Sequence, residues 1–97
     1  MARFISLLNW TDQGIRNAKD SIKRAGAAKQ AFQSAGAKII DTYWTLGQYD
    51  VVVIFDAPDN ETAYKMMLAT GMQGNVRTLT MQALDEPAMT KIIKGLS

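Results

Sequence analysis

The run Val51-Val52-Val53-Ile54-Phe55 constrains this chain more than any other segment. A strand sends successive side chains to opposite faces, and here the apolar groups fall on both parities. Such a strand is central in its sheet and covered on both sides. The segment from Phe4 to Leu8, Phe-Ile-Ser-Leu-Leu, is also apolar on both parities and reads as a second buried strand within Ala2 to Trp10.

The remaining elements fall into place around these two. Lys38 to Leu46 carries Ile40, Thr42, Trp44 and Leu46 on one parity and Ile39, Asp41, Tyr43 and Thr45 on the other. The break at Gly47-Gln48 joins this run to the Tyr49–Asp56 strand as a β-hairpin. From Val76 to Leu84 a last strand alternates Leu79, Met81 and Ala83 with Thr78, Thr80 and Gln82.

Between the first strand and the hairpin, Thr11-Asp12 offers helix-capping chemistry. Ile15, Ala18, Ile22, Ala25, Phe32 and Ala35 then recur near helical spacing. Asp20-Ser21 offers a second cap, so a short first turn precedes the main helix. Gly26 costs roughly 1 kcal/mol against Ala inside a helix, and close packing against the sheet is expected to explain it. Gly36 ends the helix as a left-handed residue. Asp59 caps a second helix whose buried stripe is expected to be Tyr64, Met67 and Leu68, closed by Gly71. Pro87 marks the start of a C-terminal helix with Met89, Ile92, Ile93 and Leu96 on one side.

The order β-α-β-β-α-β with an added helix is α+β and ferredoxin-like, a four-stranded antiparallel sheet in one domain over 1–97. Right-handed crossovers place both connecting helices on one face. The other face then has nothing in the chain to cover it, although its strands are apolar there. An exposed patch of that kind marks an interface, and two sheets packed face to face in a symmetric homodimer would cover it. Replacing Val53 by Asp is expected to break that assembly.

Composition agrees. Counting Ala, Val, Ile, Leu, Met, Phe, Trp and Gly, 50 of 97 residues are apolar, about 52%, slightly above the usual share of roughly 45–50%. A chain this small has relatively much surface, so the surplus suggests area hidden between copies. The chain has no His and no Cys. That removes Ser-His-Asp and Cys-His catalysis, thiolate or imidazole zinc sites, Cys-held iron–sulfur clusters and His- or Cys-held haem. No cofactor and no metal site are expected. No stretch approaches the ~20 apolar residues of a membrane span, and Phe4–Trp10 is too short for a secretory core. A cytoplasmic protein without a membrane partner is the default expectation.

Residues 1–38 hold seven basic and two acidic groups, whereas 39–97 hold four basic and seven acidic. Five of the basic residues lie from Arg16 to Lys29. A phosphate-binding stripe and a solvated helix face both fit them, and the face is the simpler reading, because no aromatic or Gly-rich contacts interleave. RNA-recognition domains share this topology, but their third-strand signature fails here. Leu46 and Gln48 stand where a basic residue and an aromatic would flank Gly47. No nucleic-acid partner is expected.

The run Leu46-Gly47-Gln48-Tyr49-Asp50 followed by valines resembles the signature of the GYD domain family, whose motif residues here are Gly47, Tyr49 and Asp50. Trp10-Thr11-Asp12-Gln13-Gly14-Ile15, Asp56-Ala57-Pro58-Asp59 and Gly74-Asn75-Val76-Arg77-Thr78 match further parts in order. Ile22 departs from the pattern, since many relatives carry proline there, and this leaves the helix start less sharply fixed. The resemblance implies small bacterial or archaeal proteins, mostly uncharacterised, with a fold similar to the dimeric α+β barrels. That wider group includes cofactor-free monooxygenases, isomerases, stress-response proteins and ligand-sensing domains, so the fold alone assigns no activity.

For chemistry, Asp50 at the start of a buried strand suits either an acid–base group or an acceptor of backbone N–H groups in the hairpin turn, with Arg77 as an alternative partner. The acceptor role fits the turn at Gly47 better. Asp41, Tyr43 and Arg77 complete the catalytic candidates. Tyr43, Thr45, Thr78, Thr80 and Gln82 are candidate ligand-binding residues of a cavity between two facing sheets, the competing reading being edge strands that meet water. The residues therefore suggest a self-associating small-molecule-binding protein. The alternative is a cofactor-free enzyme, monooxygenase- or isomerase-like, using Asp and Tyr groups in the barrel cavity.

Overall fold

The computed structural model describes residues 1–96 and builds one antiparallel sheet from four strands. These are β1 (Ala2–Trp10), β2 (Lys38–Trp44), β3 (Val51–Ala57) and β4 (Val76–Ala83). Their order is β2-β3-β1-β4, so the two strands apolar on both parities are the two central ones. The architecture is α+β and ferredoxin-like.

Between β1 and β2 the chain forms α1 (Asp12–Arg16), a 3-10 turn at Ala18–Asp20 and α2 (Ser21–Ser34). The Thr11 hydroxyl caps α1 by accepting the Gly14 N–H at 3.1 Å. Gly36 adopts φ +82° just beyond α2, where a side chain would be strained. The helix α3 (Asn60–Met72) is capped by Asp59, which accepts the Thr62 N–H at 2.7 Å. The helix α4 (Glu86–Lys94) starts at Asp85, which accepts the Ala88 N–H at 2.9 Å, with Pro87 in its first turn.

Helices α2 and α3 lie over one side of the sheet, α2 against β2 and α3 against β4. On that side Phe4, Phe32, Ala37, Phe55, Ala57 and Ala63 form the core. Phe55 stacks on Phe4 at 5.3 Å between centroids and meets the edge of Phe32 at 5.2 Å. All of this lies where β1 begins and β3 ends.

Several expectations need correction. In α3 the residues against the sheet are Ala63, Met66 and Met67, whereas Tyr64 and Leu68 are exposed. In the first helical stretch Phe32 is buried, but Ile15 and Ile22 face solvent. Gly26 is exposed with open space around it, so no close approach explains it. Helix α3 also runs one residue past Gly71, to Met72.

Strand β2 contains a one-residue bulge. Ile39 pairs with Phe55 and Asp41 with Ile54, leaving Ile40 without a partner. The extra residue reverses the alternation. Ile39, Thr42 and Trp44 therefore share the helix-bearing side with Phe55, Val53 and Val51, and Asp41 and Tyr43 point the other way. Val53 also lies on the helix-bearing side, packed against the core, so Val52 and Ile54 are the residues that reach the open face.

Helix α4 barely touches the other elements, and Met89, Ile92 and Ile93 along it are exposed, as is Leu96 beyond its end. The radius of gyration is 14.7 Å, against about 12.5 Å for a compact domain of this length. No helix among the described residues is long and apolar enough to cross a membrane.

Candidate functional site

Cross-strand pairing arranges the open face in rows. Lys38, Asp56, Arg3 and Ala83 form one; Asp41, Ile54, Ile5 and Met81 the next; Tyr43, Val52, Leu7 and Leu79 a third. The two inner rows are apolar apart from Asp41 and the Tyr43 hydroxyl. Leu79, Met81 and Tyr43 are each about half exposed, at 55%, 47% and 54%. Arg3 and Asp56 close one end of the face with a paired ion contact, Nε to Oδ1 at 2.9 Å and Nη2 to Oδ2 at 3.2 Å. This pairing holds the Asp56 carboxyl below its ordinary range and raises the Arg3 guanidinium.

The candidate residues read from sequence separate onto two sides. Asp41 and Tyr43 lie on the open face at the β2 edge, and Arg77 lies on the same face at the β4 edge. Three strand spacings, about 14 Å, separate those edges. Thr78, Thr80 and Gln82 lie on the helix-bearing side, opposite Leu8, Ser6 and Phe4, so they do not join Asp41 and Tyr43 around one space. Thr45 lies beyond the end of β2, where its hydroxyl donates to the Tyr49 carbonyl at 2.6 Å. Among the described residues no group of three carboxylates gathers where it could hold a metal ion.

Asp50 has a defined role in the fold. Its Oδ2 accepts the Trp10 N–H at 2.8 Å, and its own N–H donates to the Leu8 carbonyl at 2.9 Å. Asp50 thus bonds the end of β1, and neither the hairpin-turn N–H groups nor Arg77 that the sequence suggested as partners. Next to it, Asn9 Nδ2 donates to the Gln48 carbonyl at 2.7 Å. Gly47 takes φ +137°, which lets the chain double back between β2 and β3. The Gly47–Asp50 segment thus fastens the hairpin loop to β1.

The GYD domain model matches residues 4–93, nearly the whole chain. The chain belongs to the GYD domain family. It is also 31% identical over 85 residues to a Thermus thermophilus protein named "Glutamine synthetase and cystathionine beta-lyase binding protein". The match covers 87% of this chain and 90% of that relative. No solved structure matches this GYD chain.

The helix-bearing side holds a second feature of this GYD domain. Past the phenylalanine core, α2 presents Ala25, Ala28 and Ala31 toward the sheet, and Ser6 and Thr42 are the small residues beneath. Small side chains on both layers leave a cleft of about 350 Å³. Leu8, Trp10, Trp44, Val51, Met66 and Val76 wall it. Ser6 is fully buried at its floor, 2.8 Å from the Thr80 hydroxyl and donating to the Met67 sulfur at 3.4 Å. Trp44 is held across the mouth by its Nε1–H, which donates to Ser21 Oγ at 2.8 Å.

Sequence reasoning missed Arg24 at this cleft. Arg16, Lys19, Lys23 and Lys29 face solvent, but Arg24 is half-buried among the cleft residues. The available signal was its place on the inner stripe Ser21, Arg24/Ala25, Ala28, Ala31/Phe32, hidden within a run of basic residues.

Proposed function

We propose that this protein acts by binding: it associates with a second copy through the open sheet face and accepts a small molecule in the cleft under α2. The observation that carries this reading is the pair of apolar rows across Ile5, Leu7, Val52, Ile54, Leu79 and Met81, over which no element among the described residues packs closely. A second copy presents the same apolar rows in return, so the face is self-complementary in hydrophobicity, with single charges only at its margins. Asp41 borders the face at the β2 edge and Arg77 at the β4 edge. The Thermus relative, named for binding two enzymes, supports action through binding. The enzyme reading gains no such support, because Asp50 is occupied by the Trp10 N–H and Asp41 stands across the sheet from Arg77.

Sedimentation tests the assembly. The protein is expected to run as a dimer at micromolar concentration, and Leu7→Asp, on the open face, should yield a folded monomer. A wild-type protein that stays strictly monomeric would overturn the self-association.

A further inference from the structure

Local chemistry specifies α4 as a helix, yet it barely touches its own chain. Asp85 caps it, Glu86 stands in its first turn, and Lys91 and Lys94 stand in its last. Met89, Ile92, Ile93 and Leu96 recur at spacings of three and four, which makes one apolar stripe. The Leu96 N–H donates to the Ile93 carbonyl at 3.0 Å, so the chain keeps turning past Lys94. Every residue from Glu86 to Leu96 except Ala88 is exposed. Isolated helices shorter than about 12–15 residues are marginal in water even for favourable sequences, and α4 has nine. The stripe therefore calls for a surface outside its own chain.

We infer that α4 is an arm that packs its apolar stripe, Met89 to Leu96, on a second copy of this chain. This rests on the self-association proposed above and gives it a second contact region. Continuity is the first argument. Ala83, the last residue of β4, lies opposite Arg3 in the end row of the open face. Only Leu84 and Asp85 separate it from α4, so the arm departs from the margin of that face. Exposed apolar side chains run on from Leu79 and Met81 through Leu84 to the stripe. Size is the second argument. The open face has three full rows of four residues, whereas an interface of standard size engages about 20–30 residues from each partner. Leu84 and the stripe extend the sheet contact toward that size. The composition of the arm speaks against a lipid surface, because Glu86–Lys94 has no aromatic residue and its two lysines are matched by Asp85 and Glu86.

The chain has no cysteine, so Met89→Cys offers a single thiol for the environment-sensitive dye acrylodan. In the full chain the emission is expected to shift to the red on dilution, over the concentrations at which sedimentation shows the dimer separating. In Leu7→Asp, which removes the sheet contact, it should be red at every concentration. Unlabelled Ile92→Gln/Ile93→Gln keeps good helix formers in α4. It should raise the dimer dissociation constant at least about tenfold, while the separated chain keeps its unfolding midpoint. A dimer of unchanged affinity in that variant would overturn the arm and leave the sheet face as the whole contact. Blue emission in the Leu7→Asp monomer would overturn it by placing α4 on its own chain. A blue shift that needs phosphatidylserine vesicles would overturn it in favour of a membrane. A wild type that stays monomeric overturns the arm and the self-association together.

Discussion

The Trp10 N–H donates to Asp50 Oδ2 at 2.8 Å, across 40 positions of sequence, and so joins the end of β1 to the start of β3. The contact sits where β1 stops pairing with β3, so no strand carbonyl there accepts the amide. Asp50→Ala leaves that amide unsatisfied in a half-buried place and should cost about 1–3 kcal/mol in urea unfolding. Because Trp10 borders the cleft, the variant should also shift tryptophan emission.

Two glycines in neighbouring helices should respond to alanine with opposite signs. A Cβ on Gly14 would overlap the Asn75 carbonyl oxygen, the same oxygen that accepts the Thr11 N–H at 3.0 Å. Gly14→Ala must push α1 off the turn before β4 and should cost about 1–3 kcal/mol. Gly26 meets nothing within 4 Å, so Gly26→Ala should stabilise α2 by about 0.5–1 kcal/mol. Thermal denaturation of the two variants side by side checks both signs.

Adjacent valines on β3 should separate fold from assembly. Val53 packs against the core and Val52 faces outward. Val53→Asp places a charge under the helices and should unfold the protein or cost more than about 3 kcal/mol. Val52→Asp should leave the circular dichroism native and lower the sedimenting mass.

Acid should weaken the fold through two carboxylates. Hydrogen bonding and charge from Arg3 hold Asp56 below its ordinary range, and the hydrogen bonds from Thr62 do the same for Asp59. Both groups bind a proton more readily in the unfolded chain. Their contribution is therefore complete above the ordinary carboxylate range and fades as pH falls through it. Midpoint temperature should fall below about pH 4, and Asp56→Asn should flatten that fall.

Helix α4 should be nearly silent toward the fold of its own chain. Ile92 is 50% exposed on a helix that barely touches the remaining elements. Ile92→Gln is expected to change unfolding free energy by no more than about 0.5 kcal/mol.

The order of elements was legible in the residues because each strand and helix carried its own period. Val51–Phe55 announced a central strand, and Asp59, Pro87 and Gly36 marked helix ends by backbone chemistry alone. Faces were less legible. The bulge at Ile40 has no compositional mark, since Ile39 and Ile40 are equally apolar and only the pairing shows which is skipped. On α3 the sheet meets Ala63, Met66 and Met67 and leaves Tyr64 and Leu68 exposed, a rotation of the helix that the pattern leaves open because both stripes are apolar. Arg24 was concealed by its neighbours, because a basic residue among basic residues looks solvated until the helix is rotated against its sheet.

The phenylalanine core fills one end of the layer between helices and sheet, while alanines and the cleft occupy the other. Opening free energy follows packing, so the two ends should open independently. Amides around Phe4, Phe32 and Phe55 should exchange with deuterium last, near the rate of global unfolding. The tips of β2 and α2 near Trp44 and Ser21 should exchange earlier, by small excursions that leave the phenylalanines in place. A guest molecule could enter through that yielding end without a hinged lid, and its arrival would slow exchange there first.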